Sequence, residues 1–209
     1  MNSKNTEIFN LNYLPKDSQL WTILLFALLV RLLFMWVYPD QHFPDAVAYR
    51  TIGEEIFAGK LITNNIYMPL YPIWSYITGQ GMIQLLMDIL LSVISVFLIF
   101  TLSMYIFKDR LSALLSAFVA SIYPHFLFYS VSGLTEVSYT FLLLLCFLSF
   151  HRKKFFLAII ISVLAILVRP TLDFLNPVLI ILFVGIVHKS GWRSVVKYLG
   201  VYIITYMVL

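Results

Sequence analysis

Apolar runs of about twenty residues recur along the chain, as in "LWTILLFALLVRLLFMWV" from Leu20 and "MIQLLMDILLSVISVFLIFTLSMYIF" from Met82. A run of that length leaves few choices. In lipid each backbone N–H and C=O needs an internal partner, which only helices and closed barrels provide. These runs do not alternate apolar with polar residues, and that selects helices. The composition agrees: 61% of the 209 residues are hydrophobic and 11% charged, where a soluble domain has about a quarter charged. The expected fold class is all-α, a polytopic membrane helical bundle of about seven transmembrane helices with amphipathic interfacial helices in the first outer loop.

Spans are expected at residues 20–38, 82–107, 111–130, 134–150, 155–169 and 171–188, with a seventh beginning near Tyr198. Residues 1–19 form a cytoplasmic N-terminal tail, residues 20–209 one transmembrane module, and 39–81 its outer loop. "YMPLYPIWSYITGQG", broken by Pro69, Pro72, Gly79 and Gly81, is a helical segment at the interface before the second span. The first run lacks a small-residue cleavage pattern and is expected to be a retained span. The last, "YLGVYIITYMVL", provides about 12 residues or 18 Å of helix against a core of about 30 Å. Either part of "GWRSVVK" is drawn into it or the chain is cut short of a longer protein; the second is the expectation.

Lys and Arg set the orientation. With the N-terminus inside, Lys108, Arg110, Arg152, Lys153, Lys154, Lys189, Arg193 and Lys197 are cytoplasmic, while the outer side has Arg50, Lys60 and Arg169 against Asp40, Asp45, Glu54, Glu55, Glu136 and Asp173. The net charge of +4 is scattered among short loops, so no nucleic-acid partner is implied. The single cysteine, Cys146, sits inside an apolar run as a packing residue.

The outer polar groups are the candidate site. "FPDAVAYRTIGEEIFAGK" begins like a helix at Pro44 and Asp45, carries Ala46, Tyr49, Ile52 and Ile56 on one face, and stops at Gly59. Asp45 is open to two readings. A carboxylate in a first helical turn caps backbone N–H groups; one beside an acceptor hydroxyl is a general base, and a phosphate leaving group departs without a protonated partner. Arg50 and Glu54 have ion-pair spacing, as do Arg169 and Asp173. Arg31 and Asp88 lie inside spans at matching depth and are expected to pair. His125, Glu136 and Arg169 join the outer cluster, where an arginine would hold phosphate.

In order, "FPDAVAY", "MPLYPIW", "YPHFLFYSVSGLTE" and "LAILVRPTL" resemble the GT-C superfamily of integral-membrane glycosyltransferases. The likeness is to the bacterial branch related to protein mannosyltransferases and aminoarabinose transferases, and it covers roughly residues 20–190. It implies a sugar carried on a polyprenyl phosphate and transferred with inversion to a lipid, glycan or protein acceptor on the non-cytoplasmic side of a bacterial inner membrane. It carries Asp45 over as the acid that activates the acceptor and Pro69 through Pro72 as the Pro-rich element. Arg50 or Arg169 would then steady the departing phosphate, Tyr49, Tyr71 and His125 wall the cavity, and Glu136 orient a hydroxyl or arginine. Two departures stand out: members continue past span seven, and Asp45 is followed by Ala46 where some relatives have paired acids. No cofactor is certain; a divalent metal bridging Asp45 and a phosphate is compatible with the chemistry, but no full ligand set is legible. The alternatives are a lipid-linked sugar transporter or flippase, and a non-catalytic membrane scaffold.

Overall fold

The computed structural model describes residues 17–38, 43–60, 67–79 and 81–208, with the backbone alone for Leu172. Asp40, residues 61–66 of the expected outer loop, and nearly all of the expected N-terminal tail lie outside the described residues.

Among the described residues the fold is all-helical. In chain order the helices are α1 (Ser18–Val37), α2 (Pro44–Phe57), α3 (Leu70–Ile77), α4 (Met82–Phe107), α5 (Arg110–Ile122), α6 (Pro124–Tyr129), α7 (Glu136–His151), α8 (Phe155–Val168), α9 (Leu175–Ile180) and α10 (Trp192–Val208). A 3-10 turn, Pro170–Leu172, precedes α9, and a π-helix, Ile181–Val187, continues it. Helix α4 sits centrally against α1, α5 and α7; α8 packs on α7 and α10.

Among the described residues two helices, α1 and α4, are long and apolar enough to cross a membrane, at about 30 and 39 Å. Their outward residues fit such a setting. Helix α1 exposes Trp21, Leu25, Leu29, Leu33 and Trp36 along one stripe, more contiguous apolar surface than a water-facing helix carries. Together these features support membrane association.

A proline divides one of the expected spans, and another stands at the expected boundary between two. The residue before a proline is pushed out of the α region, and proline itself suits the first helical position. Tyr123 is therefore extended before Pro124 (ψ 122°), and the expected run 111–130 becomes α5 and α6. Arg169 is likewise extended before Pro170 (φ −154°, ψ 125°), which ends α8, and 171–188 becomes a 3-10 turn, α9 and its π-helical continuation. At the last run, α10 begins at Trp192, so most of "GWRSVVK" is drawn into it.

The two ends of the bundle differ in charge. At one end Asp17 caps α1, accepting from the Leu20 N–H at 3.2 Å, and also meets Arg110 at the head of α5 at 2.8 and 3.1 Å. The Arg110 guanidinium holds the Asp17 carboxyl below its usual pKa. Arg152 donates to the Tyr105 hydroxyl at 3.0 Å. Lys108, Lys153 and Lys189 at this end each take a left-handed backbone conformation that closes a helix. Asp45, Glu136, Arg169 and Asp173 gather at the other end.

Candidate functional site

Helices α2 and α3 form a pair held by close backbone approach. A Cβ on Gly53 would lie 2.6 Å from the Pro72 carbonyl oxygen, so only glycine allows this crossing. Gly59 ends α2 with φ +68°; its N–H bonds to Ile56 O and that of Lys60 to Glu55 O, the Schellman arrangement.

Below that pair, α3 is tied to α4 by a polar zipper. Tyr71, Trp74 and Ser75 share one face of α3, while Gln84 and Asp88 lie one turn apart on α4. The Tyr71 hydroxyl donates to Asp88 Oδ2 at 3.1 Å and the Trp74 indole N–H to Oδ1 at 3.2 Å. Ser75 donates to Gln84 Oε1 at 2.9 Å, and Gln84 Nε2 donates to the Tyr71 hydroxyl at 3.1 Å. Both oxygens of the fully buried Asp88 thus have donors.

The expected pairing of Arg31 with Asp88 is not found. Fully buried Arg31 donates from Nε to Ser92 Oγ at 2.8 Å, and from Nη1 to the carbonyls of Ala27 at 3.0 Å and Ser121 at 3.1 Å. Ser92 is one turn deeper on α4 than Asp88. Arg31 therefore meets α4 one turn away from the expected residue, and α3 supplies Asp88 with neutral donors instead.

Above the zipper stands a tyrosine ladder. Buried Tyr49 on α2 meets both Tyr67 and Tyr71 edge to face, each with ring centroids 5.1 Å apart. The Tyr67 hydroxyl donates to Asp45 Oδ1 at 2.9 Å, and this bond raises the Tyr67 pKa above the usual phenol value. Burial raises that of Tyr49, with the negative charges of Asp45 and Glu136 adding to it. Asp45 is exposed in the first turn of α2 and makes no side-chain cap bond; Phe43 occupies the cap position. The capping reading therefore reduces to a favourable charge at the helix start.

Glu136, in the first turn of α7, accepts from Arg169 Nη1 at 2.6 Å. Pro170 sets this up by swinging Arg169 out of α8. The expected pairing of Arg169 with Asp173 is therefore replaced, and Asp173 instead accepts from Tyr206 at 3.3 Å. Arg50 is exposed and forms no ion pair with Glu54 or any other described residue.

Two clefts lie nearby. One, of about 260 Å³ and almost wholly apolar, runs between α3, α4, α7 and the end of α8 and is lined by Tyr71, Trp74, Phe141 and Val168 among others. The second, of about 190 Å³, lies between α4, α6 and α7 and includes His125 and Glu136. Asp45 lines neither. The structure thus joins Asp45 to Tyr67 and Tyr49, Tyr71 to Asp88, and Glu136 to Arg169, while His125 on α6 shares the second cleft with Glu136. Tyr67 and the zipper were missed from sequence. The zipper's signal was present as Gln84 and Asp88, one turn apart near the start of a long apolar run. Among the described residues no three His, Cys, Asp or Glu side chains are grouped to hold a metal ion.

No protein-family model, curated protein or solved structure matches the chain.

Proposed function

We propose that the protein is a membrane glycosyltransferase that moves a sugar from a polyprenyl-phosphate donor to a lipid, glycan or protein hydroxyl. In this reading the chain is a bundle of about seven spans in a bacterial inner membrane. The basic end faces the cytoplasm, in keeping with the positive-inside rule, and Asp45 faces the opposite side.

Asp45 takes the acceptor hydroxyl proton as the oxygen attacks the anomeric carbon. The bond from that carbon to the phosphate oxygen breaks with inversion, and the polyprenyl phosphate leaves as an anion. Arg169, half exposed and held by Glu136, or Arg50, which has no ion pair among the described residues, offsets that charge. Tyr67 is a positioning residue that holds the Asp45 carboxylate by one oxygen and leaves the other to accept a proton. Tyr49 and Tyr71 carry the aromatic wall from Asp45 down to the apolar cleft, whose lining suits a polyprenyl chain. The observation that carries the reading is the exposed Asp45 carboxylate, oriented by Tyr67 at the same end of the bundle as the Glu136–Arg169 pair.

The test is Asp45→Asn in membranes supplied with labelled lipid-linked sugar. Loss of transfer by about a hundredfold or more is the expected scale for removing a general base, with insertion unchanged by protease protection. Transfer at the native rate in that variant would refute the role. Arg31 and Asp88, charged groups buried within α1 and α4, favour a second reading, a transporter or flippase of a lipid-linked sugar. Label that crosses the bilayer without becoming covalently attached to an acceptor would select it.

A further inference from the structure

The basic end of the bundle is neutralised on one side and bare on the other. Where α1, α4 and α5 meet, Arg110 pairs with Asp17 at 2.8 Å, and Lys108 is followed by Asp109, which caps α5. Cations there stand beside carboxylates. On the α7–α10 side, Arg152, Lys153 and Lys154 form the turn into α8, and Lys189, Arg193 and Lys197 lie at the entry to α10. From Val137 onward the only acidic residue in the sequence is Asp173, which lies at the opposite end. None of the six cations forms an ion pair among the described residues; Arg152 donates to the Tyr105 hydroxyl, a neutral partner.

The fold gathers these cations rather than spreading them. The Phe155 ring packs on His188 at 5.4 Å and on Tyr198 at 5.1 Å, so Lys154, Lys189 and Lys197 each stand one residue from a single aromatic hub. Arg193 and Lys197, both exposed, are one turn apart on one face of α10, a spacing at which like charges repel. An anion relieves that repulsion, and phosphate oxygens accept from both side-chain types. What surrounds the cations decides the source of the anion. Phe156 is 60% exposed, Trp192 69% and Val196 52%, each within two residues of a cation. A soluble anion has no use for that apolar rim, whereas a lipid presents a charged head and an apolar tail together, and tryptophan settles where the two meet. Lys197 is about 6 Å further along α10 than Arg193, and its long stem lets the ammonium reach back to headgroup level.

We propose that the α7–α8 turn and the start of α10 form a docking face for anionic phospholipids, with phosphates among the six cations and acyl chains along Phe156 and Val196. The inference rests on the membrane reading and on no step of sugar transfer. It also goes past orientation, which counts Lys and Arg over all short loops alike; here the lipid preference belongs to one half of the basic end.

The experiment reconstitutes the purified full chain in phosphatidylcholine vesicles with a trace of spin-labelled phosphatidylglycerol or spin-labelled phosphatidylcholine, and reads the motionally restricted lipid by electron spin resonance. Expected is a preference of about threefold or more for the anionic lipid at low salt, fading at about 1 M salt, where the Debye length is about 3 Å. Arg193→Gln with Lys197→Gln should remove most of it. Glutamine is a good helix former, so melting in phosphatidylcholine alone should stay native. Lys108→Asn with Arg110→Gln removes the same charge and should keep the preference, asparagine suiting the left-handed position of Lys108. Asp45→Asn should keep it too. Equal uptake of the two lipids, equal loss in the two double variants, or displacement of the lipid by inorganic phosphate at constant ionic strength would overturn the proposal. A chain that fails to float with neutral vesicles would overturn the membrane reading and this proposal with it.

Discussion

The two halves of the bundle enclose different interiors beneath similar apolar exteriors. Helices α1, α4 and α5 pack four alanines, Ala27, Ala113, Ala117 and Ala120, beside Leu20, Leu24 and Phe100, and α1 and α4 bury two charged residues, Arg31 and Asp88. Helices α7 through α10 close on rings and large aliphatics, with Phe150 stacked on Phe183 at 5.0 Å and packed on Phe155, and their described buried polar residues are uncharged. In lipid, helix association gains little from the hydrophobic effect and depends on close packing and interhelical hydrogen bonds. Among the described residues both halves have hydrogen bonds between helices, but only the first draws fully buried charged side chains into them. Polar substitutions should therefore disturb the first half, and changes of volume the second.

Asp88→Leu should give the largest effect. It leaves the Tyr71 hydroxyl and the Trp74 N–H without their acceptor, at about 1–3 kcal/mol for each buried donor, so roughly 2–6 kcal/mol in all. Its counterpart is Ser162→Ala in α8, where the lost hydroxyl bonds only to Ile159 O in its own turn and the cost should stay below about 1.5 kcal/mol. Thermal unfolding of both variants in one detergent makes the comparison. If Asp88→Leu melts no lower than Ser162→Ala, the supposed contrast between the halves fails.

A smaller effect separates two glycines. Gly53→Ala drives a Cβ to 2.6 Å from the Pro72 carbonyl, whereas at Gly185 the added atom would lie 3.2 Å from one methyl of Val195. Backbone cannot yield as a side chain can, so Gly53→Ala should cost about 1–3 kcal/mol by overpacking and Gly185→Ala less. Faster tryptic cutting at Arg50 and Lys60 in the first variant alone would locate the damage between α2 and α3. Equal melting of the two would show that this crossing tolerates a methyl group.

The same contrast explains what was legible in the sequence. Helices α4, α7 and α8 start and stop within two residues of expectation because glycine, lysine and charged turns bound their apolar runs. Pro170 marked the expected boundary between 155–169 and 171–188, whereas Pro124 stood in plain view inside 111–130 and continuous hydrophobicity on either side masked the break it makes. Depth was readable only to about one helical turn, since each residue adds about 1.5 Å of rise and Arg31 meets Ser92, one turn from Asp88. Direction around the helix was not, because a helix apolar on every side gives no azimuth. The candidate site divides in the same way. Glu136 and Arg169 were expected near each other, yet the local i, i+4 spacing suggested Asp173 as partner, and only the turn at Pro170 decides between them. Tyr67 gave no signal, since one tyrosine among 13 is unremarkable until the chain folds back to bring it to Asp45.

The smallest expected effect tests the halves at their shared basic end. There α1 and α5 are joined by Asp17 and Arg110, whereas α7 reaches α4 through Arg152 and the Tyr105 hydroxyl. Asp17 has its folded pKa lowered, chiefly by the hydrogen bond from Arg110. Its contribution is therefore complete above the usual carboxylate pKa and is lost as pH falls through the lower folded value. Asp17→Asn keeps an equally good helix cap, so it removes the ion pair while leaving the α1 start intact. Arg110 is largely exposed, which keeps the effect small. The melting difference between native protein and Asp17→Asn should be steady from neutral pH to about pH 5 and vanish as the carboxyl protonates. A difference that persists unchanged into strong acid would assign the contact to capping geometry and leave the first half with no charge-dependent lock at this end.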